Sequence, residues 1–320
     1  GFMDLQEGHW ARAQRHLQRA AQDVEKPLMY YLGAARAAQQ LGQSDEADAL
    51  LERALNSQPG AELAVALTHA ELQVARGDQT AAVETLQVMH QRYPGNHHVL
   101  RELARLHHGA SNHSELLDLL PQLRKSKALG PQELTSLEGQ AWQGRLQAAA
   151  GEGENALQSL QTAWQQIPAS LCQQPELLLG YTEALHRLGA DEEAEGLLRK
   201  AIKSDYDPRL VRLYGLLQSK DSAKQLQLAE GWLTQRPKDP VLLLCLGRLC
   251  LSNALWGKAR DYFEASMLLQ PDAENSAELA RLLAHLGDVE RSNQLFQQGL
   301  GLQGQLLPAL PQPGQDVSHG

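Results

Sequence analysis

The chain is poor in cysteine, with three in 320 residues, Cys172, Cys245 and Cys250, and no CxxC spacing. That count excludes a disulfide framework and a zinc site. Cys245 and Cys250 lie five apart on one helical stretch and read as core packing, which is compatible with a reducing compartment. No run of 18 apolar residues is present, so nothing in the sequence reads as a membrane-spanning helix. The opening GFMDLQEGHW has no signal-peptide pattern. Positive charge is in deficit, 29 Lys and Arg against 38 Asp and Glu, net −9, which argues against a surface given over to nucleic acid.

Signatures of catalysis are missing as well. There is no Ser-His-Asp arrangement, no paired-carboxylate site and no phosphate loop, so enzyme activity is not expected. Gly299, Gly301 and Gly304 spell GxGxxG, but a helical pattern precedes them and a proline-rich tail follows. A dinucleotide site needs a strand before and a helix after, so these glycines read as the end of the last helix. His97, His98, His107, His108 and His113 cluster without an HxxxH pair, which leaves no two-ligand metal face. A solvated or loop-bound role is the simpler reading, with a haem or metal contact as the alternative.

What is present is a repeat. The stretch PVLLLCLGRLCLSNALWGKARDYFEASMLLQP, from Pro240 to Pro271, holds two helical patterns. The missing side chain at Gly247 lets them approach, Ala259 does the same from the second, and Phe263 fills the space toward the next hairpin. From Gly247 a small residue stands 12 further on, a large apolar one 4 after that, and a proline 8 after that. The same ruler yields Ala35–Ala47–Leu51–Pro59, Ala70–Ala82–Leu86–Pro94 and Gly144–Ala156–Leu160–Pro168. Partial matches start at Thr182, Leu213 and Ala280, and a weaker unit rests on Ala104, Leu116 and Leu120. This is the tetratricopeptide pattern, a helix–turn–helix of about 34 residues whose apolar face is buried only by stacking. The expected fold is therefore all-α, a superhelical tetratricopeptide solenoid of about eight repeats.

Anchor spacing sets the expected organisation. Residues 1–26 read as a truncated first repeat, with something upstream cut away; 27–128 as N-terminal repeats; 129–302 as C-terminal repeats; and 303–320 as a flexible proline-rich tail that could instead fold back over an apolar groove. The 40-residue step from Ala104 to Gly144 places an insertion around 125–132, and the 38-residue step to Thr182 places a loop near 167–174. The 31-residue step to Leu213 implies short helices around 204–220. The inter-helix turn HHGASNHS reads as irregular. Trp10, Trp142, Trp164, Trp232 and Trp256 read as packing residues.

In such a solenoid the first helices line the inner surface, and the position after each small anchor faces it. That position holds Arg36, Glu71, Arg105, Arg145, Glu183, Tyr214, Arg248 and Arg281, with His108, His186 and His285 one turn later. Five arginines of eight in an acidic chain make a cationic stripe, and guanidinium groups bind carboxylates and phosphates bidentately. The plainer reading is that groove positions meet water and arginine is a good helix former. The candidate anion- or partner-binding groove is thus Arg36, Arg105, Arg145, Arg248, Arg281, His108, His186 and His285.

Specific stretches go beyond the repeat. EGHWARAQRHLQRAA with KPLMYYLGAARAAQQLGQSDEADALLERA, then LEGQAWQG, SDYDPRLVRLYGLL and the run from RPKDPVLLLC to LLAHLGD resemble the HemY family over residues 7 to about 300. The resemblance implies a bacterial inner-membrane protein with two upstream transmembrane helices and the soluble domain on the cytoplasmic side. It implies a scaffold or regulator of late haem biosynthesis, with ferrochelatase and protoporphyrinogen oxidase as partners, and haem or porphyrin as the alternative ligand on the groove Arg and His residues. A generic peptide-binding adaptor is the fallback. The family supplies no agreed functional residues. An unrelated flavoprotein oxidase shares its name, but that oxidase's nucleotide fingerprint has no counterpart here. No resident cofactor is expected.

Overall fold

A computed structural model describes residues 1–302, and the proline-rich tail called at 303–320 lies outside the described residues. The described chain is helical throughout, with no strand. It forms two compact units, the first ending at Arg145 and the second beginning at Leu146.

The first unit contains α1 (Phe2–Gln6), α2 (Trp10–Gln22), α3 (Leu28–Gln40), α4 (Ser44–Ser57), α5 (Glu62–Ala75), α6 (Gln79–Arg92), α7 (His97–Gly109), α8 (His113–Ser126) and most of α9 (Pro131–Ala149). Hairpins α3–α4, α5–α6 and α7–α8 pack internally and against their neighbours. The anchors make this possible: Ala35, Ala47, Leu51, Ala70, Ala82, Leu86, Ala104, Leu116 and Leu120 are all buried. Alanine at the crossing keeps helix axes close, and the leucine one turn later fills the seam between hairpins.

Turns repeat as well. Gly42, Gly77, Gly189 and Gly287 take φ from 75° to 91° at the hairpin corner, where only glycine is free of Cβ strain. Ser111 (φ 57°) and Ala254 (φ 56°) occupy the same kind of corner without glycine. The HHGASNHS turn is therefore a regular three-residue corner, 110–112, rather than an irregular one. The residues that lengthen the 104-to-144 step sit inside α9, which runs for 19 residues where the two preceding helices have 13 and 14. The connection before it is short, 127–130, and opens at Lys127 in the left-handed region. Pro131 starts α9, where its fixed φ suits a first helical turn.

The second unit contains α10 (Ala156–Gln166), α11 (Pro175–Arg187), α12 (Asp191–Ser204), α13 (Pro208–Tyr214), α14 (Ser222–Leu233), α15 (Pro240–Ser252), α16 (Trp256–Leu269), α17 (Ala273–His285) and α18 (Val289–Leu302). The loop 167–174 and the seven-residue α13 stand where the long and short steps put them. At α15–α16 the close approach is explicit: a Cβ on Gly247 would lie 2.3 Å from the buried Phe263 ring. Trp164 stacks on Tyr181 at 4.1 Å between centroids, and Trp232 packs on Tyr214 at 5.0 Å. Trp142 is buried, whereas Trp256 is exposed and only flanks His285, because it opens α16 at a hairpin corner. Cys245 and Cys250 are buried, and burial pushes their thiols up to about 12 and about 11, so both are unreactive core groups.

Candidate functional site: the arginine-lined groove of the first unit

Asn96 begins α7 by accepting from the backbone N–H groups of His98 and Val99, which fixes the register of the helix behind it. Val99, Leu100, Leu103, Leu106 and His107 then face the core, and His98, Arg101, Glu102, Arg105 and His108 are left on the other side. The same division on α3 and α5 puts Arg36 and Glu71 on that side.

Two cavities run along this wall. The first, of 260 Å³, is bounded by Arg36 on α3, Glu71 on α5, and His98, Arg101, Glu102 and Arg105 on α7, over a floor that includes Leu67, Val74 and Leu86. The second, of 360 Å³, lies between α7 and α9 and is walled by Ala104, His108, Leu129, Glu133 and Leu137. Arg101, Glu102 and Arg105 line both, so the two cavities adjoin at these side chains. Arg36 donates through Nε (3.1 Å) and Nη2 (2.8 Å) to Glu71. Arg105 pairs with Glu102 one turn back at 2.8 Å. Arg101 donates through Nε (3.2 Å) and Nη2 (2.8 Å) to the Ala128 carbonyl. His107, behind the wall, is buried, and burial lowers its pKa against a weaker opposing pull from Glu115.

The eight groove residues expected from the sequence therefore divide. Arg36, Arg105 and His108 line the groove. Arg145 is half-buried further along α9 and is not among the residues lining either cavity. In the second unit, Arg248 is 6% exposed and clasped by Glu274 and Glu278, the latter at 3.2 Å. Arg281 pairs with Glu278 at 3.3 Å, while Arg212 pairs with Glu274 and reaches Asp272 at 3.3 Å. His186 hydrogen-bonds Asp191 at 2.7 Å beside the α11–α12 corner, and His285 lies against Trp256. The slot rule missed Arg101 and His98, which stand three and six residues before the Ala104 anchor. Their i, i+3/i+4 relation to Arg105 and Glu102 was the available signal.

The model described as HemY protein N-terminus matches residues 1–42, and two tetratricopeptide-repeat models match residues 29–61 and 147–217. Protein HemY of Escherichia coli strain K12 is 26% identical over 301 residues, covering 94% of this chain and 75% of that protein. The chain is similar to the HemY family. Protein HemY of Shigella flexneri aligns with the same figures. Among solved structures, a tetratricopeptide repeat protein from Parabacteroides merdae superposes with a TM-score of 0.35 at 12% identity, covering 91% of this chain and 93% of that one. MamA MSR-1 C2 gives 0.32 at 16% identity over 52% and 98%. Such superpositions are too loose to argue from, so the tetratricopeptide fold rests on the helices themselves and on the repeat models. No helix among the described residues is long and apolar enough to cross a membrane.

Proposed function

We propose that this HemY-like chain is a non-enzymatic scaffold of late haem biosynthesis, which holds partner proteins in the groove of its first unit. Tetratricopeptide repeats generally mediate protein–protein interaction. The observation that carries the reading is the adjacency of the two cavities, with apolar lining and charged rims that include Arg36 on α3 and Arg101 and Arg105 on α7. That is the make-up of a peptide-recognition surface, in which apolar pockets supply affinity and rim charges supply register. Ferrochelatase and protoporphyrinogen oxidase are the partners that the family's tie to haem synthesis puts forward. Attachment to the bacterial inner membrane on the cytoplasmic side, through helices upstream of this sequence, would bring the groove to such enzymes.

Co-purification tests it. Immobilised chain should retain ferrochelatase or protoporphyrinogen oxidase, and the double variant Arg36→Glu/Arg105→Glu should release it without loss of helical circular dichroism. Undiminished retention by the folded double variant would remove the groove from the proposal. A porphyrin-carrier reading is favoured by one feature, the apolar 360 Å³ cavity with Arg105 and His108 at its edge. It requires a Soret shift on haem titration that is lost in Arg105→Ala/His108→Ala, and a flat titration leaves the protein scaffold alone.

A further inference from the structure

The groove is not evenly charged. In the first cavity Arg36 and Arg105 are each matched by one carboxylate, whereas Arg101 is held by a neutral acceptor, the Ala128 carbonyl. Three arginines face two glutamates there, with His98 alongside. In the second cavity Arg101 and Arg105 are balanced by Glu102 and Glu133, and Ala104, Leu129 and Leu137 supply apolar lining beside His108, Ser136 and Gln140. A surplus of positive charge thus sits directly beside an apolar recess, and Arg101 borders both.

Resting on the scaffold reading above, we infer that the groove takes a peptide segment in which an acidic residue is followed closely by a bulky aliphatic one, with the carboxylate on Arg101 and the aliphatic side chain between Leu129 and Leu137. The two bonds to Ala128 hold the guanidinium in place before any ligand arrives, so less side-chain freedom is lost on binding. The N–H groups not used on Ala128 form the fork that a carboxylate meets bidentately. Surface-exposed Arg101 is not needed to neutralise a glutamate, so a ligand carboxylate has no internal competitor to displace. Over the whole groove the three arginines are offset by Glu71, Glu102 and Glu133. That balance selects against a long polyanion such as RNA and for a short segment with one or two acidic positions.

The test is fluorescence anisotropy with the 320-residue chain and labelled hexapeptides: Ser-Glu-Glu-Leu-Leu-Ser, its Gln-Gln counterpart, and a counterpart with both leucines replaced by serine. The acidic–aliphatic peptide should bind, and each counterpart should bind at least about tenfold more weakly, through loss of a charge-assisted pair in the Gln-Gln peptide and of buried aliphatic surface in the serine one. Arg101→Gln should weaken the acidic peptide about tenfold and leave the Gln-Gln peptide unchanged. Glu102→Gln should tighten the acidic peptide severalfold, a gain that misfolding cannot mimic. Equal binding of the acidic and amide peptides, no binding of any, or no response to Arg101→Gln would overturn the inference. If those arms fail while pathway-enzyme retention still depends on Arg36 and Arg105, only the partner class is wrong. Loss of both dependences removes the groove altogether.

Discussion

Arg36 and Arg248 occupy the same place in their repeats, one residue after the small anchor, yet their surroundings are opposite. The Arg36 side chain is 42% exposed and has one glutamate partner, contributed by the equivalent position of the next hairpin, Glu71. Arg248 is 6% exposed and has two, because Glu274 and Glu278 lie four apart on α17 and both face α15. Arg212 and Arg281 join the same acids. Burial lowers the Arg248 pKa, with Glu278 opposing the shift. The lesson is that an arginine after the anchor marks a polar wall, while the acids on the next first helix decide whether it remains available to a partner. In the first unit Arg101 is held by a backbone carbonyl; in the second Arg212, Arg248 and Arg281 each have a carboxylate.

The largest effect should come from breaking the consumed side. Arg248→Met removes the buried cation between Glu274 and Glu278 and leaves them only the exposed Arg212 and Arg281. It should cost the second unit about 3 kcal/mol, the range for removing one member of a buried ion pair. Urea unfolding of that unit measures it, and adding Glu278→Gln should recover part of the loss. Recovery to wild type with Arg248→Met alone would mean that the network does no more than a surface pair.

Next comes the helix crossing behind the wall. At this crossing Ala35, Ala70 and Ala104 of the first unit carry a methyl, whereas Gly247 of the second carries none because Phe263 fills the space. Gly247→Ala forces a methyl against that ring and should destabilise by about 2 kcal/mol. Gly247→Ala/Phe263→Leu should relieve the clash, so the double variant is expected to lose less than the sum of the single changes.

The crossings were legible because they follow a fixed stride: a reader who finds Gly247, Ala259 and Phe263 at that spacing has in effect found the core. The stride also located the 167–174 loop and the short α13, since missing or extra residues show as a changed step. It could not say whether extra residues enter a loop or a helix, and at 125–132 they extended α9 instead. The last hairpin shows another limit. Phe296 falls in the slot that buries Leu51, Leu86 and Phe263, yet it is 41% exposed, because no described hairpin follows to cover it. Site residues were legible in kind but not in availability. Charge at Arg36 and Arg248 is identical in one dimension, and pairing depends on which face of the neighbouring helix carries its acids. Arg101 was invisible to the slot rule because its role depends on reaching a carbonyl at Ala128, which no periodicity encodes.

A pH experiment sharpens the comparison. His107 is buried behind the groove and its folded pKa lies below the ordinary histidine value through burial. Below that ordinary value, 6.5, the unfolded chain takes up a proton that the folded site resists, so stability present at neutral pH is lost as pH falls. Glu115 draws the pKa up and limits the loss. The first unit should therefore melt at a lower temperature at pH 5.5 than at pH 7.5, and His107→Leu should reduce that difference. An unchanged difference in the variant would assign the acid response to other groups, but not to Asp48. The Asp48 carboxyl is held below the usual range by Arg76, and its contribution fades only as pH falls below about 4.

The smallest expected effect is the most telling about function. Arg105 is exposed, and its pair with Glu102 is a surface i, i+3 contact worth no more than about 0.5 kcal/mol. Arg105→Ala should leave the urea midpoint of the first unit within error of wild type, in contrast to Arg248→Met in the second. A groove arginine that stability does not need is one that a partner can use. The same variant should therefore show its loss in co-purification and not in unfolding. If Arg105→Ala instead destabilised the first unit by 2 kcal/mol or more, the two units would treat their arginines alike, and the contrast between an available and a consumed wall would fail.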